Sequence, residues 1–432
     1  TSKMQPRGTN QSVPVERGLR QGCPMSPSLF NFFINDIFEE LEGFKPAGVS
    51  VPTRGVNDLR CPGLLFADDV VLMAESADDL RRSMAHVERW ALRWGMECGV
   101  RKCAVMLVSP TSVADSTITL ATMGPWQLHG QDVPIVDRYR YLGYEFTADL
   151  ESTVHIVSRQ EGAKKAFGTC LSFLANRSIP LLCRAMAYKA MVLPILSWGC
   201  ELLPVNKTTL APLARVQHQH LRVLAGLRAA SNLGCPLAMG RELNIPPFYV
   251  RAITSRIRLY RKAPRLKTWL KILCERPCLL PRTGKRTWTT MTSPLVRIRM
   301  NLQRDPEINF GTWLKEWEWE KYLGHRNISR AMANYIDRGF SGGRAYLKFS
   351  MYNLNQTTGL LALFKMRTGC FLTSLRLAQM GFISTEFRTV CPLCRVNEPE
   401  DIEHLLLRCE VFAAERVRFF SPLSLDVSTA LT

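Results

Sequence analysis

A chain of 432 residues that is 46% apolar is too long for one hydrophobic core and too apolar to stay disordered, so two to four domains are expected. Its longest apolar stretch, near Ala190 to Cys200, is interrupted by Pro194 and falls short of the ~20 residues a bilayer needs. Thr1 to Asn10 lack an apolar signal core, so neither a membrane span nor secretion is expected, and the 14 cysteines are read as intracellular thiols.

Residues 1–147 mix short β-like runs (Gly63–Ala74, Val105–Ser109 and Tyr139–Thr147) with helical patterns, which indicates an α+β unit. Early in it, Ser26 is expected to cap a helix with Pro27 at its first position and an apolar face of Leu29, Phe30, Phe33, Ile34, Ile37 and Phe38. From about Glu161 the pattern turns helical, with apolar residues three and four apart over Lys164–Leu174, Leu181–Leu193 and Leu210–Leu227.

The net charge of +19 is unevenly placed along these elements. Residues 1–100 hold 11 Lys/Arg against 13 Asp/Glu, so the rest of the chain carries +21. Arg251 to Arg304 holds 15 basic residues and one acid, Glu275. A solvated face normally mixes both signs, so this stretch is read as a polyanion contact, with Arg251, Arg258, Lys262 and Arg265 as candidate nucleic-acid-binding residues. Next comes a Trp-rich helix with Trp313, Trp317 and Trp319, whose spacing is that of core residues more often than of a base-stacking platform. The last unit, about Ser350 to Cys409, is helical.

The segment Leu64-Leu65-Phe66-Ala67-Asp68-Asp69-Val70-Val71-Leu72 has two apolar arms around adjacent carboxylates, and reads as a β-hairpin with acids at its tip. Two neighbouring carboxylates repel unless cations neutralise them, and their hard oxygens suit Mg2+. Alone the pair is weak evidence, because most Asp-Asp pairs are solvated turn residues. Upstream stands Arg17-Gly18-Leu19-Arg20-Gln21-Gly22-Cys23-Pro24-Met25-Ser26-Pro27, a Gly-containing loop entering a helix; taken alone it reads as an ordinary capped core helix. Downstream come Trp90, Trp94 and Gly95, then Arg101-Lys102-Cys103, then Tyr139-Arg140-Tyr141-Leu142-Gly143. Near the C-terminus, Cys391-x2-Cys394-x9-His404-x4-Cys409 offers three thiolates and an imidazole to a structural Zn2+. A turn around Asn397 should lead into a helix starting near Asp401, with His404 on it and Cys409 at or past its end.

In this order the segments resemble the palm of reverse transcriptases of the non-LTR, LINE-type retrotransposon branch. The resemblance implies metal-binding roles for Asp68 and Asp69 with Mg2+ or Mn2+, and template and nucleotide support by Gln21 and Gly22. It also implies a cation at Lys102 near the nucleotide phosphates, and a primer grip at Tyr141, Leu142 and Gly143. Arg367-Thr368-Gly369 similarly resembles the zinc-containing C-terminal domain of this branch. Two departures stand out. Gly99 occupies the place of a common Asn before Lys102, and the first Asp in the chain is Asp36, after the Gln-Gly loop, although the family carries a further metal-binding Asp before it.

The expected architecture is therefore α+β, with a partial palm (1–147), a helical thumb-like domain (148–235), a basic connector (236–345) and a helical zinc-binding domain (346–432). The expected reaction is RNA-directed DNA synthesis from deoxynucleoside triphosphates, with an RNA template and a DNA primer or target, in the nucleus after a cytoplasmic ribonucleoprotein stage. The chain itself, beginning inside the palm, is expected to polymerise weakly or not at all. The competing reading is a non-catalytic nucleic-acid-binding zinc protein derived from such an element. A metal-dependent nuclease has less support, since only 23 residues follow Cys409.

Overall fold

The computed structural model describes residues 2–4, 13–15, 22–38, 48–51, 59–108, 123–231, 233–266, 268–275, 287–302, 309–323, 332, 335–336 and 345–420. It is an α+β molecule, mostly helical, whose strands form small antiparallel pairs. Contacts gather the chain into two compact units, Thr1–His155 with Ile257–Leu302, and Ile156–Arg256 with Gln303–Thr432. Among the described residues no helix is long and apolar enough to cross a membrane.

In the first unit, strand β1 (Ser2–Met4) pairs with β2 (Val13–Val15), and β3 (Val49–Ser50) with β4 (Arg60–Cys61). Helix α1 (Ser26–Ile34) begins one residue earlier than its sequence predicts: Met25 occupies the cap position without a side-chain hydrogen bond, and Ser26 is already helical. A hydrogen bond from the Ser26 N–H to the Cys23 carbonyl closes a turn before the helix and takes over part of the expected cap. Of the expected apolar face, Ile34 and Ile37 are buried and Phe30 and Phe38 partly so, while Leu29 and Phe33 stay exposed. Helix α2 (Ala77–Arg93) starts at Ser76, whose side chain accepts from the Asp79 N–H at 3.1 Å, with Asp78 and Asp79 favourably placed in the first turn. Its Val87 and Trp90 pack with Ile34 and Ile37 against Leu65 and Val70 of the hairpin, which is what seats that hairpin on the unit.

That hairpin is β5 (Gly63–Phe66) with β6 (Asp69–Leu72), registered Gly63 to Leu72 and Phe66 to Asp69. A Cβ on Gly63 would lie 2.2 Å from the Val71 carbonyl oxygen, so only glycine fits there. Beyond it, β7 (Gln127–Leu128) pairs with β8 (Gln131–Asp132), and β9 (Arg138–Tyr141) with β10 (Tyr144–Thr147). The β-like run at Val105 forms only an isolated bridge to Ile135, and Ser109 lies outside the described residues.

In the second unit, helices over Leu171–Leu174, Leu181–Met191, Leu193–Ser197 and Lys207–Leu224 carry one large core. Leu174, Tyr188, Leu193, Leu196, Leu213 and Leu224 are completely buried in it, each contributing about 1.5–3 kcal/mol. Arg184 is buried among them and donates to the carbonyls of Leu174, Ile179 and Leu224 at 3.3, 3.0 and 2.8 Å, joining helix ends that otherwise leave acceptors unpaired. Burial, with the Arg177 charge, pulls its guanidinium down to about 10. Glu242, also buried, accepts from Tyr335 at 2.6 Å, Tyr346 at 2.7 Å and Arg367 at 2.8 Å, tying the helix Pro236–Leu243 to the segments that lead to the C-terminus. Of the three tryptophans, Trp319 is 1% exposed, whereas Trp313 and Trp317 are half-buried and stacked with centroids 5.8 Å apart.

Candidate active site and metal centre

The hairpin β5–β6 turns through two residues, Ala67 and Asp68, so both carboxylates stand at its tip and both are exposed. Ala67 has φ +51°, a conformation that costs a non-glycine residue about 1–2 kcal/mol, and it is held there by apolar arms that pack on the core below.

The β9–β10 hairpin is built the same way. Its two-residue turn is Leu142 and Gly143 at φ +49° and +78°, the left-handed pair that a tight hairpin with the natural strand twist requires. Tyr139 and Tyr141 lie two residues apart on β9. Burial raises the pKa of both phenols, with Cys103 and then Asp69 adding to it at Tyr139 and Asp69 at Tyr141. The Tyr139 hydroxyl donates to the Lys102 carbonyl oxygen at 2.7 Å, which anchors the short turn Val100–Lys102 to the same strand. The Tyr139 bond brings the Lys102 turn to the strand that leads into Tyr141-Leu142-Gly143, and Asp68 and Asp69 belong to the same unit. Tyr139 was not a candidate from sequence; its signal was the alternation Tyr139-Arg140-Tyr141, which puts both tyrosines on one face of the strand.

Gly22 is exposed at the entry to α1 with φ +86°, and a side chain there would meet open space. Gln21 lies outside the described residues. Asp36 is committed elsewhere, accepting from the Trp90 indole at 3.0 Å. Among the described residues no third carboxylate, thiol or imidazole joins Asp68 and Asp69 in a possible metal-binding group. The basic candidates divide: Arg258, Lys262 and Arg265 are exposed, whereas Arg251 is half-buried and its guanidinium lies 3.5 Å from the Ser197 hydroxyl.

The cysteine cluster is a different kind of site. The ligand atoms of Cys391, Cys394, His404 and Cys409 all lie within 4.8 Å of one another, and Cys391, His404 and Cys409 are buried. A tetrahedral Zn2+ with bonds of about 2.3 Å to sulfur needs its thiolates just under about 4 Å apart, so the donors fit that ion with small movements. The knuckle turns at Arg395, φ +60°, where the Arg395 N–H reaches the Cys391 carbonyl at 3.0 Å and the Cys391 N–H reaches Val396 at 3.1 Å. The turn thus falls two residues before Asn397. Asp401 accepts from the His404 N–H at 2.7 Å and opens the expected helix.

That helix is wound as a π-turn over His404–Arg408, closed by the Cys409 N–H on the His404 carbonyl at 2.7 Å. The physical reason is the interval. In an α-helix, residues five apart diverge by about 140°, whereas the wider turn brings His404 and the residue after its end to the same side. Glu398, which sequence spacing did not single out, accepts from His404 Nδ1 at 2.6 Å and leaves Nε2 facing the sulfurs, 3.4 Å from Cys394. Burial opposes a charged imidazole, but the hydrogen bonds to Glu398 and Cys394 outweigh it and raise the His404 pKa. The Val396 N–H, chiefly, draws the Cys394 thiol down to about 7.

Compared with known proteins, residues 3–146 match the model of the family described as reverse transcriptase (RNA-dependent DNA polymerase). The chain is 29% identical over 135 residues to a retrovirus-related Pol polyprotein from type-1 retrotransposable element R2 of Nasonia vitripennis, covering 31% of this chain and 12% of that protein. An R2 polyprotein of Popillia japonica is 26% identical over 165 residues, 37% of this chain and 22% of its own length. The RNA-directed DNA polymerase from mobile element jockey of Drosophila funebris is 22% identical over 315 residues, 69% of this chain and 30% of that protein. The chain therefore spans less than a third of the length of these relatives.

Proposed function

We propose, from the premise that residues 3–146 belong to the reverse transcriptase family in its non-LTR retrotransposon form, that the protein takes part in RNA-templated DNA synthesis at the tip of the β5–β6 hairpin. The observation that carries this reading is the pair of exposed carboxylates at a strained turn, on the unit that also carries Tyr141 and the Lys102 turn. A pair of Mg2+ or Mn2+ ions, bound by Asp68, Asp69 and a further carboxylate, would supply activation of the primer hydroxyl and neutralise charge on the departing pyrophosphate. In this reading Lys102 sits toward the nucleotide phosphates, Tyr141-Leu142-Gly143 hold the primer end, and Gln21-Gly22 support the template and the incoming deoxynucleoside triphosphate. Residues 148–235 act as a thumb on the RNA–DNA product, the basic segment contacts nucleic acid, and a Zn2+ on Cys391, Cys394, His404 and Cys409 fixes the C-terminal domain.

The chain as it stands holds two of the carboxylates, and no Asp precedes Asp36 in its sequence. We therefore expect it to polymerise weakly or not at all, and in that form the non-catalytic, nucleic-acid-binding reading describes it better. The test is RNA-templated primer extension by a fusion that places ahead of residue 1 the segment of a relative that precedes its match to this chain. Extension that drops at least about 10³-fold with Asp68→Ala supports the polymerase reading, by analogy with the loss of a group that acts on the transition state. Extension indifferent to Asp68→Ala sinks it.

A further inference from the structure

We infer that His155 is a positioning residue for the turn Leu142–Gly143, holding strand β10 beside that turn by one hydrogen bond and one ring stack. The inference rests on the reading that this turn grips a primer end. It adds to that grip a residue that is itself completely buried and acts through the strand.

Hairpin geometry creates the need. The turn has two residues, so Tyr141 and Tyr144 form the closing hydrogen-bonded pair, and the next pair, Arg140 with Glu145, points its N–H and carbonyl groups away from the partner strand. Strands β9 and β10 stand as a two-stranded pair, so among the described residues no further strand takes up the outward groups of β10. A backbone N–H turned away from water needs an acceptor. His155 supplies it, with the Glu145 N–H donating to Nδ1 at 3.3 Å.

The second contact falls on the neighbouring residue. The His155 ring lies on the Tyr144 ring with centroids 3.8 Å apart and planes within 16° of parallel, and Tyr144 leans in turn on Phe146 at 4.9 Å. Tyr144 directly follows Gly143, so fixing its ring fixes the exit of the turn. A two-residue turn is stiff within itself, whereas the hairpin can still tilt as a whole; two contacts on the strand next to the turn oppose that tilt.

His155 has a firm place to act from. It stands in the first turn of the helix Thr153–Thr169 and is the last residue of the first unit. The link from β10 to this helix is closed by its own hydrogen bonds: the Thr147 hydroxyl lies 2.6 Å from Asp149 and 3.1 Å from the Glu151 carbonyl, and the Glu151 N–H donates to Asp149 at 2.9 Å. A side chain locked by packing is what holds a functional group to a fraction of an ångström.

Imidazole combines a flat ring to stack and an in-plane nitrogen to accept. Phenylalanine keeps the first and asparagine the second, which makes the two contacts separable. A role in the fold alone would weaken all binding and stability together. A positioning role weakens recognition of the primer end selectively.

The test is fluorescence anisotropy of the full chain with two RNA–DNA hybrids of equal length, one with a recessed primer 3′ end on an RNA template and one blunt. The parent should bind the recessed end more tightly. His155→Ala should reduce that preference by up to about 10-fold, and His155→Phe and His155→Asn by about 3-fold each, the scale of a lost hydrogen bond and a lost ring pair together or singly. The blunt hybrid should be bound by all three as by the parent. Thr147→Val, which disturbs the same strand at its far end, should keep the preference of the parent.

A His155→Ala chain that prefers the recessed end as the parent does overturns the inference. So does an equal loss for both hybrids, which marks a role in the fold, or a loss of the same size in Thr147→Val, which marks general loosening. If circular dichroism shows His155→Ala unfolded, the Phe and Asn variants decide by the same ratio. A parent without any preference removes the primer-grip reading, and this inference with it; a parent that prefers the recessed end whatever stands at position 155 removes the inference alone. The assay contains no nucleotide and no Mg2+, so its outcome does not depend on polymerase activity.

Discussion

The hairpin tip of the first unit and the cysteine cluster of the second are both candidate metal sites, yet they are built on opposite principles. Asp68 and Asp69 are adjacent in sequence, exposed, and dependent on something beyond themselves, since two neighbouring carboxylates are not a closed ligand set. Cys391, Cys394, His404 and Cys409 come from 19 consecutive residues, are largely buried, and bring their own orienting carboxylate in Glu398. A site that must open to substrate keeps its ligands at an exposed tip and borrows rigidity from the strands beneath. A site that only holds the fold together can be local, closed and complete.

The largest effect should follow from breaking the closed site. Cys391→Ser, or removal of metal by a chelator, should release a Zn2+ whose binding carries on the order of 10 kcal/mol of local folding energy. Limited proteolysis should then cut within 370–412 while the helical core of 156–252 stays protected. Unchanged protection after verified metal loss would show that the cluster is four buried residues and nothing more.

Next in size is Glu242→Ala, which leaves Arg367 half-buried without its carboxylate and strips two tyrosine hydroxyls of their acceptor. A loss of about 3–5 kcal/mol in urea unfolding is expected, without loss of Zn2+. If Zn2+ is lost as well, the closed site is less self-contained than this comparison holds.

Glu398→Gln should weaken Zn2+ binding about 10- to 100-fold, because the neutral amide no longer holds His404 in the tautomer that presents Nε2. Competition with a coloured chelator measures it. On the hairpin side, Ala67→Gly should stabilise the first unit by up to about 1 kcal/mol, since glycine adopts φ +51° without a Cβ penalty. A destabilised variant would mean that the Ala67 methyl is engaged in packing rather than merely tolerated.

Both sites were legible in the sequence where their geometry is local. The apolar arms around Asp68 and Asp69 announce a hairpin, and Cys-x2-Cys announces a knuckle, because turn geometry and ligand spacing are set by a few consecutive residues. What was hidden depends on distant residues. The bond from Tyr139 to the Lys102 carbonyl spans 37 positions, and the clasp on Glu242 reaches 125 positions to Arg367. Charge counting also misjudged individual arginines, since a buried guanidinium spent on backbone carbonyls, such as Arg184 or Arg256, scores the same as a solvated one. Arg184 does carry a trace of its fate, three residues after Leu181 and four before Tyr188 on the buried face. The π-turn at His404 had no sequence signal beyond the four-residue gap before Cys409, which no regular α-helix satisfies.

The contrast between the open and the closed site is tested most directly by primer extension on an RNA template with Mg2+, using the chain as it stands with its Zn2+ content verified as one per molecule. Product at least about 10³-fold below that of a fusion supplying the upstream Asp is the result expected from an incomplete ligand set around Asp68 and Asp69. Robust synthesis by the unextended chain, abolished by Asp68→Ala, would contradict it.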